Sequence, residues 1–266
     1  MAPNRGAAVP LRDGLIGPDA DGAVDLRSLD GRRRTIKTSE RIALEIVHDI
    51  VVQRLSSGDR LPLEAAMVEQ YGVSRASLRE ALRLLEVQGL IRLKPGPGGG
   101  PVVGVVDAAN FARMASLYFH LGAASYHQLI QTQLLMEPLC AQLAAVHPDR
   151  REVMEPFFEV GPLESEADYR SFTVDFHTAV YQLADNVVLS LLTESVTHMV
   201  SDHVVATMDP VELRPTIAQE HATLARAIAA GHSEKAARVM AEHFATQHDY
   251  YRQHWPARLD KLIEWR

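Results

Sequence analysis

Cysteine is almost absent from this chain. One residue, Cys140, in 266 excludes an intramolecular disulfide and fits a reducing, cytoplasmic compartment. Its apolar helical surroundings make it a small buried residue rather than a nucleophile. No run of about 18 apolar residues occurs, so no membrane-spanning helix is expected. The basic-then-apolar pattern of a signal peptide is missing too. Positive charge is also in deficit: the formal net charge is −7. That excludes a protein that coats nucleic acid indiscriminately, but it leaves room for a local basic stripe on an acidic molecule. Catalytic signatures are lacking. There is no HExxH pair, no phosphate-binding loop, no Ser/His/Asp or Cys/His arrangement and no pair of carboxylates at a fixed spacing. An enzyme is therefore the weaker reading.

What is present suffices for two cores. The chain is 266 residues long and 47% hydrophobic, in the range of ordinary globular proteins. Residues 72–92 organise the first part. Gly72 suits a sharp turn, and Ser74 is a plausible N-cap for the helix that follows. Leu78, Ala81, Leu82 and Leu85 recur at helical spacing and face a core. Arg75, Arg79 and Arg83 recur every fourth residue and form a stripe on one flank. Gly89 can close the helix in a left-handed conformation. Arginines and small hydroxyl residues at a helix start suit a DNA major groove, where Arg pairs with guanine. The alternative is a surface helix with a solvated arginine row.

The flanks favour DNA. Upstream, residues 39–55 form an apolar-periodic helix with Ile42, Ile46, Ile50 and Val51 among its inward candidates. A turn at 57–62 and a short helix at 63–71 follow. Downstream, residues 90–93 and 101–106 are aliphatic runs around a loop rich in Gly and Pro. Helix, helix, helix, strand, loop, strand is the order of a winged helix-turn-helix. Gly58, Asp59, Arg60, Leu61 and Pro62, then Gly72, Val73, Ser74 and Arg75, then Leu78 to Leu82 and Leu85 to Leu90, together resemble the DNA-binding domain of GntR-family transcription regulators. By that resemblance Ser74, Arg75, Ser77 and Arg79 contact DNA, and Gly96 in the wing approaches the minor groove. Ala65 stands where the family often has a phosphate-binding Arg, and this wing is longer and richer in glycine than usual.

The expected organisation is mainly α. A flexible tail at 1–37 carries Arg32, Arg33 and Arg34, read as a solvated charge run or as an arm that touches DNA. A winged helix domain covers 38–106, an all-helical effector-binding and dimerisation domain 107–255, and a C-terminal tail 256–266. The second domain is expected to be an antiparallel bundle of six or seven helices, with candidates at about 108–122, 125–147, 149–160, 166–184, 186–206, 213–230 and 233–254. Pro138 should kink its helix or mark a break. Leu135 to Leu139, Phe176 with His177, Ala184 to Asn186, Glu220 with His221, and Ala236 to His243 resemble the FCD effector domain, the C-terminal half of the FadR-type branch of that family. The resemblance implies a homodimer, a small-molecule effector and often a divalent metal.

In that comparison His177, His221 and His243 match three metal ligands. Neutral imidazole suits zinc or nickel, and facing bundle helices can bring three together. Thr173 stands where the family has a ligand aspartate, four residues before His177. Asp175, two residues away, is turned about 200° around the helix and is no substitute. Gln133 replaces an arginine four residues before Glu137. Both changes point to a less polar pocket, metal binding that is weak or lost, and an apolar or acyl-type effector. Gln133, Thr173, His177, His221 and His243 are the expected effector contacts, with His198 and His203 as further candidates. The alternatives are hydrogen-bonded interior histidines, of which a chain with 12 His has its share, and a metal-dependent helical enzyme. An interaction module without DNA binding is weakened by the wing. Double-stranded operator DNA, a small-molecule effector and a second copy of the chain are the expected partners. Operator release by a small organic acid or acyl compound is the expected behaviour.

Overall fold

The computed structural model describes residues 37–96, 99–105, 107–160, 165–205 and 211–265. The tail expected at 1–37 lies outside them except for Lys37. Contacts divide the chain into two compact units after Asn110, four residues later than the sequence boundary.

The first unit runs α1 (Thr38–Val52), α2 (Glu64–Tyr71), α3 (Arg75–Val87), β1 (Ile91–Lys94) and β2 (Gly100–Val103). α3 packs on α1, α2 and β1. Leu78, Ala81, Leu82 and Leu85 are the buried side of α3, as their spacing requires. They meet Ile42, Ile46, Met67, Ile91 and Val103 in one core, where each large aliphatic side chain contributes about 1.5–3 kcal/mol by leaving water. Ile50 is only partly buried and Val51 is exposed, so the inward face of α1 ends a turn earlier than its periodicity suggests. Gly72 closes α2 in the left-handed region, at φ 62°. Ser74 caps α3, its hydroxyl accepting from the Ser77 amide at 3.1 Å. Ser74→Ala should cost about 1 kcal/mol, read as a lower urea midpoint with unchanged slope. Beyond α3, Gly89 takes φ 77°, and the Leu90 amide returns to the Leu85 carbonyl at 3.0 Å.

The wing is an antiparallel pair with Ile91 opposite Val103 and Lys94 opposite Gly100. The 57–62 segment does more than turn. The Leu61 amide donates to the Pro101 carbonyl and the Val103 amide to the Asp59 carbonyl, so this segment covers the free edge of β2. Gly104 is fixed by crowding: a Cβ there would stand 2.1 Å from the Gly89 carbonyl oxygen.

Apart from turns and one isolated bridge between Ser125 and Leu262, the described residues of the second unit are helical: most of α4 (Ala108–Leu121), then α5 (Tyr126–Ala144), α6 (Arg150–Met154), α7 (Glu166–Leu183), α8 (Val187–Val200), α9 (Arg214–Ala229), α10 (Ser233–His254) and a short α11 (Pro256–Leu259). α5 is its centre and packs on α7, α8, α9 and α10. The helix is continuous through Pro138, because those neighbours hold it where the proline removes a donor. The helix expected at 149–160 is instead α6 plus a 3₁₀ turn, Glu155–Phe157. Pro156 lacks the amide that would continue the α-helical ladder. α8 stops at Val200 and continues as a π-type turn, Ser201–Val205.

The C-terminal tail expected at 256–266 is a correction. Leu259 and Ile263 are buried against Tyr126, Leu129, Ile130, Met199 and Tyr251. The Tyr126 amide donates to the Lys261 carbonyl and the Ile263 amide to the Ala124 carbonyl. Two apolar side chains four residues apart reach one cluster, and the backbone between them completes the start of α5. The segment is part of the core.

Candidate DNA-binding surface and histidine centre

The expected DNA contacts gather at the start of α3. Ser74, Arg75 and Arg79 are exposed, and Ser77 is half-buried beside the cap. The Ser74 and Ser77 hydroxyls are 3.0 Å apart, so both are committed to shaping the helix start as well as being available there. No acidic residue occupies the first turn of α3. Its remaining first-turn amides and Arg75 therefore present a positive end, which suits phosphate. Arg79 Nε donates to Glu64 at 2.9 Å. Both side chains are exposed, so the pair is weak and easily exchanged for a phosphate or a base. Gly96 takes φ 90° with open space around it, at the exposed end of the wing. Residues 97–98 lie outside the described residues.

In the bundle, α7, α9 and α10 bring His177, His221 and His243 together. One nitrogen from each lies within 4.8 Å of the others, and all three rings are buried. His221 Nε2 and His243 Nε2 are 3.2 Å apart. Two imidazoles on one tetrahedral ion with bonds of about 2.0–2.1 Å would have nitrogens about 3.3 Å apart. His221 is stacked on Phe176 with centroids 4.4 Å apart, and the wall formed by Phe172, Phe176 and Phe244 keeps the rings dry. Burial holds the His221 pKa well below its ordinary value, and the neighbouring His243 and His177 push it the same way. Burial also lowers His243, against the opposing pull of Glu220. Both rings are therefore neutral near pH 7; His243 Nε2 accepts from Gln247 Nε2 at 2.9 Å, a bond that an ion on this nitrogen would replace.

Two carboxylates beyond the expected site residues stand behind these rings. Glu220 accepts from His243 Nδ1 at 2.7 Å, which leaves Nε2 of that ring unprotonated. Glu137, fully buried on α5, places Oε2 3.6 Å from His177 Nδ1. Its Oε1 accepts from the Tyr181 hydroxyl at 2.5 Å and from Thr197 at 2.9 Å. Burial and the Glu137 charge raise the Tyr181 pKa well above the usual phenol value, so it stays a donor. Thr173 Oγ1, His177 Nδ1, His221 Nδ1 and Glu137 Oε2 are buried without a hydrogen-bond partner. Three buried imidazoles, a carboxylate behind each of two of them and unmet polar atoms around them make a donor set that fits a divalent ion. Asp175 is exposed and bonded to Ser171, away from the centre as its helix angle requires.

A cavity of about 140 Å³ opens beside this centre. Gln133, Thr173 and His177 are in its wall as expected, whereas His221 and His243 stand behind it and are not. His198 is in the wall, with Thr197, Tyr181 and Gln247. His203 is not; its Nδ1 is 3.0 Å from the Tyr126 hydroxyl. Arg170 is in the wall but turned to Glu166 at 3.0 Å. Tyr181, Glu137 and Gln247 were findable: each lies four residues after His177, Gln133 or His243 on the same helix face. Cys140, pushed up to about 12 by burial, is an inert thiol.

The arrangement defines a class, a winged helix-turn-helix followed by a helical bundle with a histidine-lined interior. Residues 38–99 match the bacterial regulatory proteins of the gntR family, and residues 128–246 match the FCD domain. The chain belongs to the GntR family, with an FCD domain as its second half. It is 32% identical over 162 residues to the Uxu operon regulator of Haemophilus influenzae, covering 59% of each chain. To the HTH-type transcriptional regulator LutR of Bacillus subtilis it is 24% identical over 204 residues, covering 73% of this chain and 92% of that one. The fold matches Streptococcus agalactiae GntR with a TM-score of 0.55 at 19% identity, over 79% of this chain and 99% of that chain. The family and these relatives are regulators, not enzymes. Among the described residues no helix is long and apolar enough to cross a membrane.

Proposed function

We propose that this chain is a dimeric transcription regulator that binds double-stranded operator DNA through α3 and the wing and releases it when an effector enters the FCD cavity. One observation carries this reading: a single chain joins a capped, exposed arginine helix to a bundle whose cavity abuts three buried histidines. A dimer is required because one recognition helix reads only a few base pairs, and two half-sites about one helical turn apart supply the rest. Ser74, Arg75, Ser77 and Arg79 read the major groove, and Gly96 lets the wing approach the minor groove closely.

His177, His221 and His243 hold one divalent ion, zinc or nickel, with Glu220 fixing His243 and Glu137 facing His177. When bound, the ion supplies a Lewis-acid anchor for an oxygen of the effector. Gln133, Thr173 and His177 meet the effector directly. Among the described residues the wall holds one guanidinium, Arg170, paired at the surface with Glu166, so a carboxylate effector finds its counter-charge at the histidine centre or by drawing Arg170 from that weak pair. A small organic acid or an acyl compound with one acid end meets that requirement. Differential binding to two arrangements of the regulator then lowers operator affinity.

The test is selection from a random duplex pool with the purified chain, followed by release. The expected result is one recurring motif of two half-sites, released by a compound that also raises the melting temperature. No enriched motif sinks the reading.

The missing carboxylate ligand gives a separate check. Thr173→Asp places a charged oxygen one turn from His177 and should raise nickel(II) affinity by at least tenfold, read by competition titration. Unchanged affinity would show that residue 173 does not face the ion.

A further inference from the structure

We propose that Glu137 is a positioning residue that couples the histidine centre to the cavity wall, so that occupancy of one changes affinity at the other. The inference rests on the metal and effector reading above and adds the device that joins the two sites.

Glu137 has no exposed surface. A buried carboxylate needs donors or a cation. Two donors come from the cavity side: Tyr181 at 2.5 Å and Thr197 at 2.9 Å, both on Oε1. Thr197 is itself 3.0 Å from the Tyr181 hydroxyl and accepts from Gln133 Nε2 at 3.1 Å. Tyr181, Thr197 and Gln133 all line the cavity. The other oxygen, Oε2, has no hydrogen-bond partner and faces His177 Nδ1 at 3.6 Å, an atom that also has none. One carboxylate is thus tied to the wall through one oxygen and aimed at a ring of the centre through the other.

The consequence follows from imidazole chemistry. A proton on His177 Nδ1 directed at Glu137 leaves Nε2 free to bind an ion. An ion on Nε2 makes that Nδ1–H a stronger donor, and the carboxylate in turn strengthens the ligand. An effector that draws Thr197 or Tyr181 away from Oε1 frees Glu137 to shift and alters His177. By linkage, the ion alters effector affinity by the same factor. Glu220 fixes His243 but is not part of the wall. It orients a ligand without carrying the coupling.

The test uses the full chain stripped of metal and titrated with nickel(II) by calorimetry. Glu137→Gln should weaken binding by about 10–100-fold. Tyr181→Phe, which removes a donor from Glu137 and no ligand from the ion, should weaken it by about tenfold. Tyr126→Phe deletes a buried hydroxyl elsewhere in the same bundle and should leave affinity within about twofold. Wild-type affinity in both Glu137→Gln and Tyr181→Phe overturns the inference. So does an equal loss in Tyr126→Phe, which would mark general loosening. If Glu137→Gln does not fold, Tyr181→Phe decides. Failure of the wild-type chain to bind nickel(II) overturns the histidine reading as well, and so is distinguishable from failure of the coupling alone.

Discussion

Replacing Arg75 and Arg79 together with alanine should lower affinity for a selected operator duplex by about a thousandfold or more while leaving the fold intact. Each arginine contact to a base edge is worth about 1–3 kcal/mol. In a dimer each substitution occurs at both half-sites, so four contacts go and the sum is about 4–12 kcal/mol. Its lower end is already close to a thousandfold. Stability should change by no more than about 0.5 kcal/mol, since both side chains are exposed. The lost Arg79–Glu64 pair is also a surface pair of little worth. Arg83→Ala, a turn further from the helix start, should cost less, because residues near the N-terminus of a recognition helix reach the bases. Salt separates the roles: each phosphate contact removed flattens the slope of log affinity against log salt by about 0.9. Fluorescence anisotropy at several salt concentrations reads both quantities, and unchanged affinity in the double variant would sink the DNA-binding reading.

That prediction rests on the part of the chain most legible in its sequence. The α3 core face, its Ser74 cap and the reversal at Gly72 are local devices. Each is written within a few residues and needs no distant partner. The bundle was legible in outline for the same reason, since most of its helices announce themselves by period and breaks. What sequence could not supply depends on packing. Pro156 shortens a helix whose apolar pattern continues past it. Leu259 and Ile263 look like a polar tail's stray apolar residues until the cluster around Tyr126 receives them. The edge pairing at 58–61 needs β2, some forty residues downstream, to be visible.

The histidine centre divides the same way. That three histidines belong together came from resemblance, since nothing local links positions on α7, α9 and α10. Thr173 and Gln133 were legible as departures. The carboxylates behind the rings are legible as members of the motifs, Glu137 one turn after Gln133 and Glu220 beside His221, but not as partners of particular rings. Glu220 precedes His221 in sequence yet serves His243 on another helix. Only the packing of α9 on α10 makes that assignment. Likewise, His221 and His243 share the centre with His177 but stand outside the cavity wall, a distinction of depth that helical spacing does not encode.

The second large effect belongs to this centre. His221→Ala should weaken nickel(II) binding by about a hundredfold and, in the metal-free chain, remove part of its acid sensitivity. A structural zinc site of four ligands is worth about 10–16 kcal/mol, so one ligand accounts for about 3 kcal/mol, or roughly a hundredfold. The acid effect has the sign fixed by burial. His221 and His243 are held below their ordinary value in the folded chain, whereas in the unfolded chain they titrate near 6.5. Above that pH neither state carries the proton, and stability is flat. Below it the unfolded chain takes up protons that the native rings refuse. Stability is therefore present above about pH 6.5 and lost on acidification, by up to about 1.4 kcal/mol per pH unit for each histidine. Deleting His221 removes one of the two contributions, so the slope between pH 6.5 and 5.5 should fall by about half. Absolute stability also drops, because the ring leaves a void against Phe176. Urea unfolding at a series of pH values separates the two, since the void lowers the whole curve and only the proton linkage changes its slope. An unchanged slope would mean that the native rings already take up protons, and that the centre is wetter than its burial implies. A reduced slope together with the loss of nickel(II) would show that the dryness that makes these histidines poor bases is what keeps their lone pairs free for an ion.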